Sequence, residues 1–277
     1  MISISRSIAI SFLSAVLLAC LPAIACAEQA TGHASTGIAV NKPRARDLGI
    51  RPGVLSPGPL NAITDVSGVK VGHVTLKQGT AINTGVTAVL PHEGNIYQQK
   101  VPAGFAVGNG FGKFTGSTQI KELGEIETPI ILTNTLSVPE GMKGVIEYTL
   151  RQAGNQDVRS VNAIVGETND GYLNDIRRRF VTPVHVIEAI QGASAGPVAE
   201  GPVGAGTGTI NFGWKGGIGT SSRRLPEKLG AYTVGVLVQT NYGGILQMDG
   251  LPVGRELDQY YLRDAVDKGD ACLLYTS

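Results

Sequence analysis

Few residues in this sequence are of the kinds that common catalytic and metal sites require. The 277 residues include three cysteines and four histidines. No H-E-x-x-H pair, spaced Cys/His cluster or G-x-S-x-G elbow occurs, so neither zinc chemistry nor a Ser-His-Asp triad has support in the sequence. We therefore predict no metal and no cofactor, and we interpret the four histidines as surface or capping residues: His33, His73, His92 and His185.

Charge of one sign and aromatic side chains are also scarce. The net charge is +1, which gives no indication of binding to nucleic acid or to an anionic membrane surface. Aromatic residues make up 5% of the chain, so the core must consist mainly of Val, Ile, Leu and Ala, as in a buried β-sheet. The length suits one domain of ordinary to large size.

Glycine, in contrast, is abundant, and nine of the 24 residues from Gly196 to Gly219 are glycine. Glycine permits positive φ angles and a close approach of the backbone. Ile210 and Trp214 distinguish this stretch from a flexible linker, so we interpret it as ordered backbone near a site, the alternative being a plain loop. Neither this stretch nor Gly108–Lys113 fits a nucleotide motif, because the glycine spacing is wrong and Phe114 replaces the required Ser or Thr.

The first 27 residues have the pattern of an export signal. Arg6 gives a positive start, Ile8 to Leu21 is almost unbroken apolar sequence, and Ala25-Cys26-Ala27 resembles a cleavage site. The apolar run is too short for a stable membrane span. Cleavage before Glu28 would place the protein in a bacterial periplasm or outside the cell. A lipoprotein signal cut at Cys20 and an uncleaved anchor are the alternatives.

Hydrophobic periodicity predicts a mixed α/β or α+β domain after an extended, proline-containing arm at residues 28–60. The predicted strands are two short ones within Asn61–Leu76, with a turn at Ser67-Gly68, then Thr84–Leu90, Phe105–Val107, Pro129–Thr133, Ala163–Val165 and Tyr232–Gln239. The predicted helices are Pro139–Gln152, Pro183–Ile190 with Thr182 as N-cap, and Gly254–Val266. Two of these strands have the pattern of strands buried on both faces: Pro129–Thr133 and Tyr232–Gln239.

Polar residues follow several predicted strands at the point where each strand ends. They are Thr133-Asn134-Thr135, Glu167-Thr168-Asn169-Asp170 and Asn241. Strand ends that open into loops are where α/β proteins place function. A Glu there could bind a cationic amine, and an Asn amide could donate to an oxyanion. Ordinary turn chemistry is the competing interpretation of the same residues.

Long stretches of the chain resemble the DmpA-type aminopeptidases, which include the β-peptidyl aminopeptidases. The resemblance covers nearly everything from about Arg46 to Asp270. The matching stretches are NAITDVSGVKVGH from Asn61, GVTAVLPH from Gly85, VGNGFGKFTG from Val107, ETPIILTNTLSV from Glu127, GETNDGYLND from Gly166, GPVAEGPVGAGTG from Gly196, FGWKGGIGTSSR from Phe212, YTVGVLVQTNYG from Tyr232 and LPVGREL from Leu251.

This resemblance implies a four-layer αββα sandwich, incomplete at the C-terminus, and a precursor that cuts itself into an α and a β chain. The new N-terminal Ser of the β chain is then the nucleophile, with a nearby amine as its base. By the same resemblance Glu167 binds the substrate amino group, Asn241 lines the oxyanion hole and Asn169 faces the site. Pro139-Glu140-Gly141 departs from the family pattern, which puts the start of the local helix in doubt.

The resembled family cuts itself close to where this sequence stops. We expect residues 61–271 to be the α-chain part of a single peptidase domain, and residues 272–277 to be an adapter-derived artefact. On this interpretation the nucleophile is absent from the chain, and the chain alone is inactive. A variant that uses Cys272 as its nucleophile is the alternative.

The sequence thus predicts an exported, self-processing serine aminopeptidase or amidase that releases N-terminal residues from peptides, amides or esters. Its expected partners are a peptide or aminoacyl amide or ester substrate and its own β chain, within a homo-oligomer. Nucleic acid is not expected, nor is a membrane after signal cleavage. An acyltransferase of the ornithine acetyltransferase fold and a non-catalytic periplasmic binding protein are the alternatives.

The export signal yields the first testable prediction. Secreted protein should begin at Glu28, because the signal peptidase recognises the small residues at Ala25 and Ala27. N-terminal sequencing of material from the periplasm or the medium measures this directly. A start at Met1, or a lipid-modified Cys20, would contradict the prediction.

Overall fold

The computed structural model describes residues 43–266. The predicted signal peptide, the first part of the arm, His33 and residues 272–277 with Cys272 lie outside the described residues. From Pro43 to Leu60 the arm forms turns and bends, which agrees with the prediction of little regular structure.

Within the described range the chain forms ten strands and five helices. The strands are β1 (Lys70–Gln78), β2 (Ile82–Leu90), β3 (Val101–Pro102), β4 (Glu125–Ile126), β5 (Ile130–Asn134), β6 (Ile164–Thr168), β7 (Ile210–Asn211), β8 (Trp214–Lys215), β9 (Ile218–Arg224) and β10 (Thr233–Gln239). The helices are α1 (Ser117–Leu123), α2 (Val138–Leu150), α3 (Pro183–Gln191), α4 (Val253–Glu256) and α5 (Arg263–Val266).

The main sheet has the strand order β1-β2-β5-β6. The first two pairings are antiparallel, whereas β5 and β6 run parallel, with Thr133 opposite Glu167. Helices α2 and α3 cover one face of this sheet, and β-branched and small residues fill the space between them. The buried side chains of this core include Val86, Ala88, Ile131, Val145, Val165, Val186 and Ala189. This composition matches the expectation of an aliphatic core with few aromatics.

The second face of the main sheet packs against β10 and the glycine-rich stretch. Leu237 of β10 contacts the cluster of Val71 and Val89 from the main sheet. The backbone of Gly204 donates to the Thr75 hydroxyl at 2.8 Å, and that of Ala205 donates to the Thr87 hydroxyl at 3.1 Å. The glycine-rich stretch is therefore ordered backbone laid on the sheet, as the sequence predicts.

The described residues thus form three of the four predicted layers, namely a helix pair, the four-stranded sheet and the β9–β10 ribbon. Helix α2 begins at Val138 with proline in its first turn, which settles the start that the Pro139 departure put in doubt. Helix α3 follows Thr182 as its N-cap, and the Thr182 N–H donates to the His185 ring at 3.1 Å. Both helices, and the strands β2, β5, β6 and β10, confirm the sequence predictions.

Three predicted elements are wrong. Between Pro43 and β1 the chain forms no strand, because Ile63–Asp65 forms a single 3₁₀ turn that the Asp65 carboxylate holds through the N–H groups of Leu60 and Ala62. Phe105–Val107 is loop, and the neighbouring short strand is β3 instead. The last helix is not continuous, since Asp258 and Leu262 adopt positive φ angles that an α-helix does not allow.

Strand β10 is not buried on both faces by the described residues. Its inward residues pack towards the main sheet, whereas Val234, Val236 and Val238 on the other side are 51%, 47% and 44% exposed. In contrast, β5 is buried or half-buried along its length, because helix α2 and the glycine-rich stretch pack against it. Among the described residues no helix is long and apolar enough to cross a membrane.

His73 is held between β1 and the glycine-rich stretch. Its Nδ1 atom lies 2.9 Å from the Thr87 hydroxyl, while its Nε2 atom is buried without a hydrogen-bond partner in the described structure. Burial of the ring lowers the pKa of His73 to about 4. The side chain therefore belongs to the packing between the layers, rather than to the surface as the sequence predicts.

The buried His73 generates a pH-dependence prediction. The unfolded chain takes up a proton near pH 6.5, whereas the folded protein does so only near pH 4, so stability should fall as the pH drops through this window. His73→Asn in the full-length protein should remove this part of the loss, which is about 2 kcal/mol between pH 7.5 and pH 5. Denaturant unfolding at pH 7.5 and pH 5 measures it. His92→Asn, on a surface loop, is the control, and equal losses in wild type and His73→Asn would contradict the prediction.

Candidate active site

The candidate site lies at the edge of the main sheet where β5 and β6 end. Because these two strands are parallel, the polar residues after them emerge side by side, with Thr133 opposite Glu167 and Asn134 opposite Thr168. Crevices outside the carboxyl ends of parallel strands are common ligand sites. The predicted strand-end residues are therefore brought to one place.

Gln239 joins the second layer to this edge. Its side-chain amide nitrogen lies within hydrogen-bonding distance of three acceptors, the carbonyl of Thr133 at 3.0 Å, the hydroxyl of Thr168 at 2.7 Å and the carbonyl of Ala205 at 3.0 Å, which share its two hydrogens. One amide thus contacts the ends of β5 and β6 and the glycine-rich stretch. As a result, Asn241, two residues further on, lies beside the loop that follows β6.

Glu167 is a nearly buried carboxylate, with a side chain that is 5% exposed. The Thr135 hydroxyl donates to Oε2 through a short hydrogen bond, and the Lys113 backbone N–H donates to Oε1 at 3.0 Å. The Lys113 ammonium lies 3.7 Å from Oε1. Because a buried charge requires partners, these contacts keep the carboxylate in one position with its negative charge compensated.

The Asn241 amide is fixed from both ends. Its Oδ1 atom accepts the backbone N–H of Asn169 at 3.2 Å, and its Nδ2 atom donates to the carbonyl of Ile210 at 3.1 Å. An amide nitrogen carries two hydrogens, and this arrangement uses one of them. The second hydrogen is available for an oxygen atom in the site.

Asn169 meets Asn241 through its backbone. Its own side chain accepts the N–H of Gly171 at 2.8 Å, which is a turn contact. The structure therefore brings two predicted site residues, Asn169 and Asn241, into direct contact. Glu167 lies in β6, which ends at Thr168 just before Asn169, but Glu167 shares no hydrogen-bond partner with either asparagine in the described structure.

A buried polar cluster that the sequence does not predict supports this edge from below. The Asp170 carboxylate is 1% exposed and accepts from Thr84 at 2.6 Å and from Asn174 at 3.0 Å, while Asn134 donates to Thr84 at 2.8 Å. Burial raises the pKa of Asp170 above its ordinary value, although the hydrogen bonds act in the opposite direction. Sequence reasoning singled out Asn134 and Asp170 but had no signal for their common partner Thr84, which is some fifty residues or more away.

The loop of residues 104–114, here called the phenylalanine loop, borders the site. The rings of Phe105 and Phe114 stack with centroids 5.7 Å apart, and Phe111 is 99% exposed. Lys113 reaches Glu167 from one end of this loop, and an added Cβ at Gly108 would lie 3.8 Å from the Tyr242 hydroxyl. The loop thus runs from the carboxylate towards the Asn241 side, and of its glycines Gly112 lies against Glu167, where an added Cβ would be 3.5 Å from Oε1.

No group of three His, Cys, Asp or Glu side chains that could hold a metal occurs in residues 43–266. His92 and His185 hold local backbone, through the Gly94 and Thr182 N–H groups respectively. In chemical terms, the edge offers a compensated carboxylate that suits a cationic amine, and a fixed amide donor that suits a developing oxyanion.

Comparison with known proteins identifies relatives along most of the chain. The sequence profile described as Peptidase family S58 matches residues 61–273. The β-peptidyl aminopeptidase BapA of Sphingosinicella microcystinivorans is 45% identical over 234 residues, which cover 79% of this chain and 57% of that protein. The chain thus spans little more than half the length of the curated relatives it matches.

Solved structures show the same fold. A β-aminopeptidase from a Burkholderia species is 48% identical with a TM-score of 0.74, covering 78% of this chain and 62% of that one. The L-aminopeptidase D-Ala-esterase/amidase of Ochrobactrum anthropi, described as a prototype of the serine aminopeptidases and a variant of the Ntn hydrolase fold, is 38% identical with a TM-score of 0.72. The match covers 78% of this chain and 63% of that structure's chain. The predicted fold class is confirmed.

Proposed function

Since this chain belongs to peptidase family S58, we propose that the whole protein is a self-processing serine aminopeptidase or amidase acting on peptides, aminoacyl amides or esters. The observation that carries the proposal is the nearly buried Glu167 carboxylate, held at the same strand edge as the fixed Asn241 amide. One group suits a substrate amine and the other suits the carbonyl oxygen of the bond to be cut.

Glu167 is the proposed binding group for the substrate amino terminus. Aminopeptidases act at the end of a chain, so the site must distinguish an ammonium group from an internal amide. A carboxylate that is 5% exposed does this well, because leaving it without a cationic partner is costly. Thr135 and the Lys113 N–H hold its two oxygens in place beforehand, so little ordering is required when the substrate binds.

Asn241 is the proposed oxyanion donor. Acyl transfer places negative charge on the carbonyl oxygen, and a donor fixed before the reaction stabilises that charge without reorganisation. The contacts with Asn169 and Ile210 supply this rigidity. Asn169 is proposed to act through the orientation of Asn241 as well as by lining the site.

The proposed nucleophile is an N-terminal serine created by self-cleavage, with its own or a neighbouring amine as base. It would come from a β chain that follows the matched region. The exposed valines of β10 agree with this proposal, because strands or helices of that chain could cover Val234, Val236 and Val238. We further propose export to the periplasm or medium and assembly as a homo-oligomer, both on the grounds given by the sequence and its resemblance.

The activity and the role of Glu167 are tested together. The full-length protein should cut itself and then hydrolyse aminoacyl p-nitroanilides. Glu167→Gln should reduce kcat/KM for free-amine substrates by about 10- to 100-fold, because a hydrogen bond to a charged group contributes roughly 1.5–3 kcal/mol. Steady-state kinetics on free and N-acetylated substrates measures this.

Glu147→Gln serves as the control for Glu167→Gln, since Glu147 lies on the exposed side of α2 beside Arg151. It should leave kinetics unchanged. Full-length protein that neither cuts itself nor hydrolyses any aminoacyl substrate would contradict the proposed function. An active enzyme in which Glu167→Gln leaves kcat/KM for free-amine substrates intact would refute only the role of Glu167.

The oxyanion role of Asn241 gives a separate prediction. Asn241→Ala should lower kcat by about 10²–10³-fold with a modest change in KM, the usual effect of losing an oxyanion donor. Asn241→Asp, which keeps the shape but puts a negative charge beside the developing oxyanion, should be at least as damaged. Burst and steady-state kinetics separate the acylation step from product release, and near-native turnover in either variant would leave Asn241 with a turn role only.

A further inference from the structure

Lys113 is the cation nearest to Glu167 in the described part of the chain. Its ammonium nitrogen lies 3.7 Å from Oε1, while the backbone N–H of the same residue donates to the same oxygen at 3.0 Å. The backbone contact needs no particular side chain, because every residue except proline has this N–H group. The ammonium contact, in contrast, depends on lysine.

The two partners of this ion pair differ sharply in their surroundings. The Glu167 side chain is 5% exposed, whereas the Lys113 side chain is 55% exposed. The carboxylate cannot move into water without breaking its bonds to Thr135 and to the Lys113 backbone. The lysine ammonium, at the end of a flexible four-carbon chain on the phenylalanine loop, can turn out into solvent at little cost.

We propose that Lys113 is a specificity-determining residue, whose ammonium occupies in the empty site the place that the substrate's terminal ammonium takes beside Glu167. The inference rests on the proposed function, because it requires that Glu167 receives the substrate amine. Lys113 keeps the buried carboxylate compensated between turnovers, and it leaves when a cationic substrate arrives.

Lys113 should weaken the binding of a free amine whether or not its ammonium leaves Glu167. If the lysine stays, two cations share one carboxylate and repel each other. If it leaves, the existing ion pair is lost on binding. In either case Lys113 weakens the binding of a free amine, while a substrate with a blocked, neutral terminus avoids this competition. Lysine at this position therefore reduces the preference of the site for free amines.

The size of the effect follows from the exposure of the lysine. Ion pairs with one exposed partner are weak and account for factors of up to about five in an equilibrium constant. Removal of the Lys113 charge should therefore tighten the binding of free amines by about two- to fivefold. The chemical step should change little, because Lys113 does not reach the bond that is cut.

The experiment uses Lys113→Met in the full-length enzyme, with Lys113→Gln as a second neutral variant. The inhibition constant of a free amino acid product should fall by about two- to fivefold, with kcat within about twofold of wild type. An inhibition constant is preferred to KM, because KM equals a dissociation constant only when chemistry is slow. The same assay with an N-acetylated amino acid should show no change.

Three further variants isolate the charge and the partner. Lys113→Arg keeps the positive charge, so it should not tighten binding. Lys121→Met removes an exposed lysine on α1, away from Glu167, and should behave as wild type. In a Glu167→Gln background the Lys113→Met change should have no effect, because the carboxylate for which lysine and substrate compete is absent. An effect of Lys113→Met that persists in this background would overturn the inference.

Weaker or unchanged binding of the free amine in both Lys113→Met and Lys113→Gln, in an active enzyme, would also overturn the inference, since lysine would then assist the substrate or take no part. Such a result leaves the proposed function intact. Failure of the proposed function is distinct, because it appears as an absence of aminoacyl hydrolysis in the wild-type enzyme itself.

Discussion

The Gln239 side chain is the contact on which the arrangement of the candidate site depends. Its amide nitrogen has three acceptors, in Thr133, Thr168 and Ala205, which belong to β5, β6 and the glycine-rich stretch. Two packed sheets can slide relative to one another when only aliphatic side chains join them, since apolar contacts are not directional. A half-buried amide has directional partners, and it therefore fixes where β10 ends relative to β6. The position of Asn241 beside Asn169 follows from this relative position of the two strands.

The close packing of the glycine-rich stretch on the main sheet explains why glycine is required there. At Gly204, where φ is +49°, an added Cβ would lie 2.4 Å from the Thr87 hydroxyl and 2.7 Å from the His73 ring, and at Gly85 it would lie 2.5 Å from the Gly204 carbonyl. Contacts this short do not occur, so any side chain would lift the glycine-rich stretch off the sheet. The Ala205 carbonyl would then move away from Gln239. The glycine content therefore serves the close approach of two layers, and the site benefits through Gln239.

The sequence is informative wherever a pattern is local. Strand β5 and helices α2 and α3 follow from periodicity and caps, and the strand-end rule puts Glu167 and Asn241 on one edge. Contacts between distant parts of the chain leave no local pattern, which is why the sequence does not predict the roles of Gln239 and Thr84. In the sequence Lys113 is only the end of a stretch that does not fit a nucleotide motif, whereas its ion pair with Glu167 joins the phenylalanine loop to β6. The prediction of a continuous last helix is wrong for a local reason. Asp258 and Leu262 adopt positive φ angles, and because neither residue is glycine the sequence does not indicate this.

A nearly buried carboxylate at a strand end poses a physical problem that this edge solves in two steps. Two of the contacts to Glu167 come from groups that stay in place, the Thr135 hydroxyl and a backbone N–H, and these fix its geometry. The third comes from an exposed ammonium that can leave. Separating the fixed dipoles from the mobile charge lets the site remain ordered while its counter-charge is exchanged. The two fixed dipoles without the lysine would bind an arriving ammonium more tightly but leave the charge of the empty site without a cation. A fixed internal cation, in contrast, would block the binding of the substrate amine. A mobile lysine beside a rigid carboxylate avoids both outcomes.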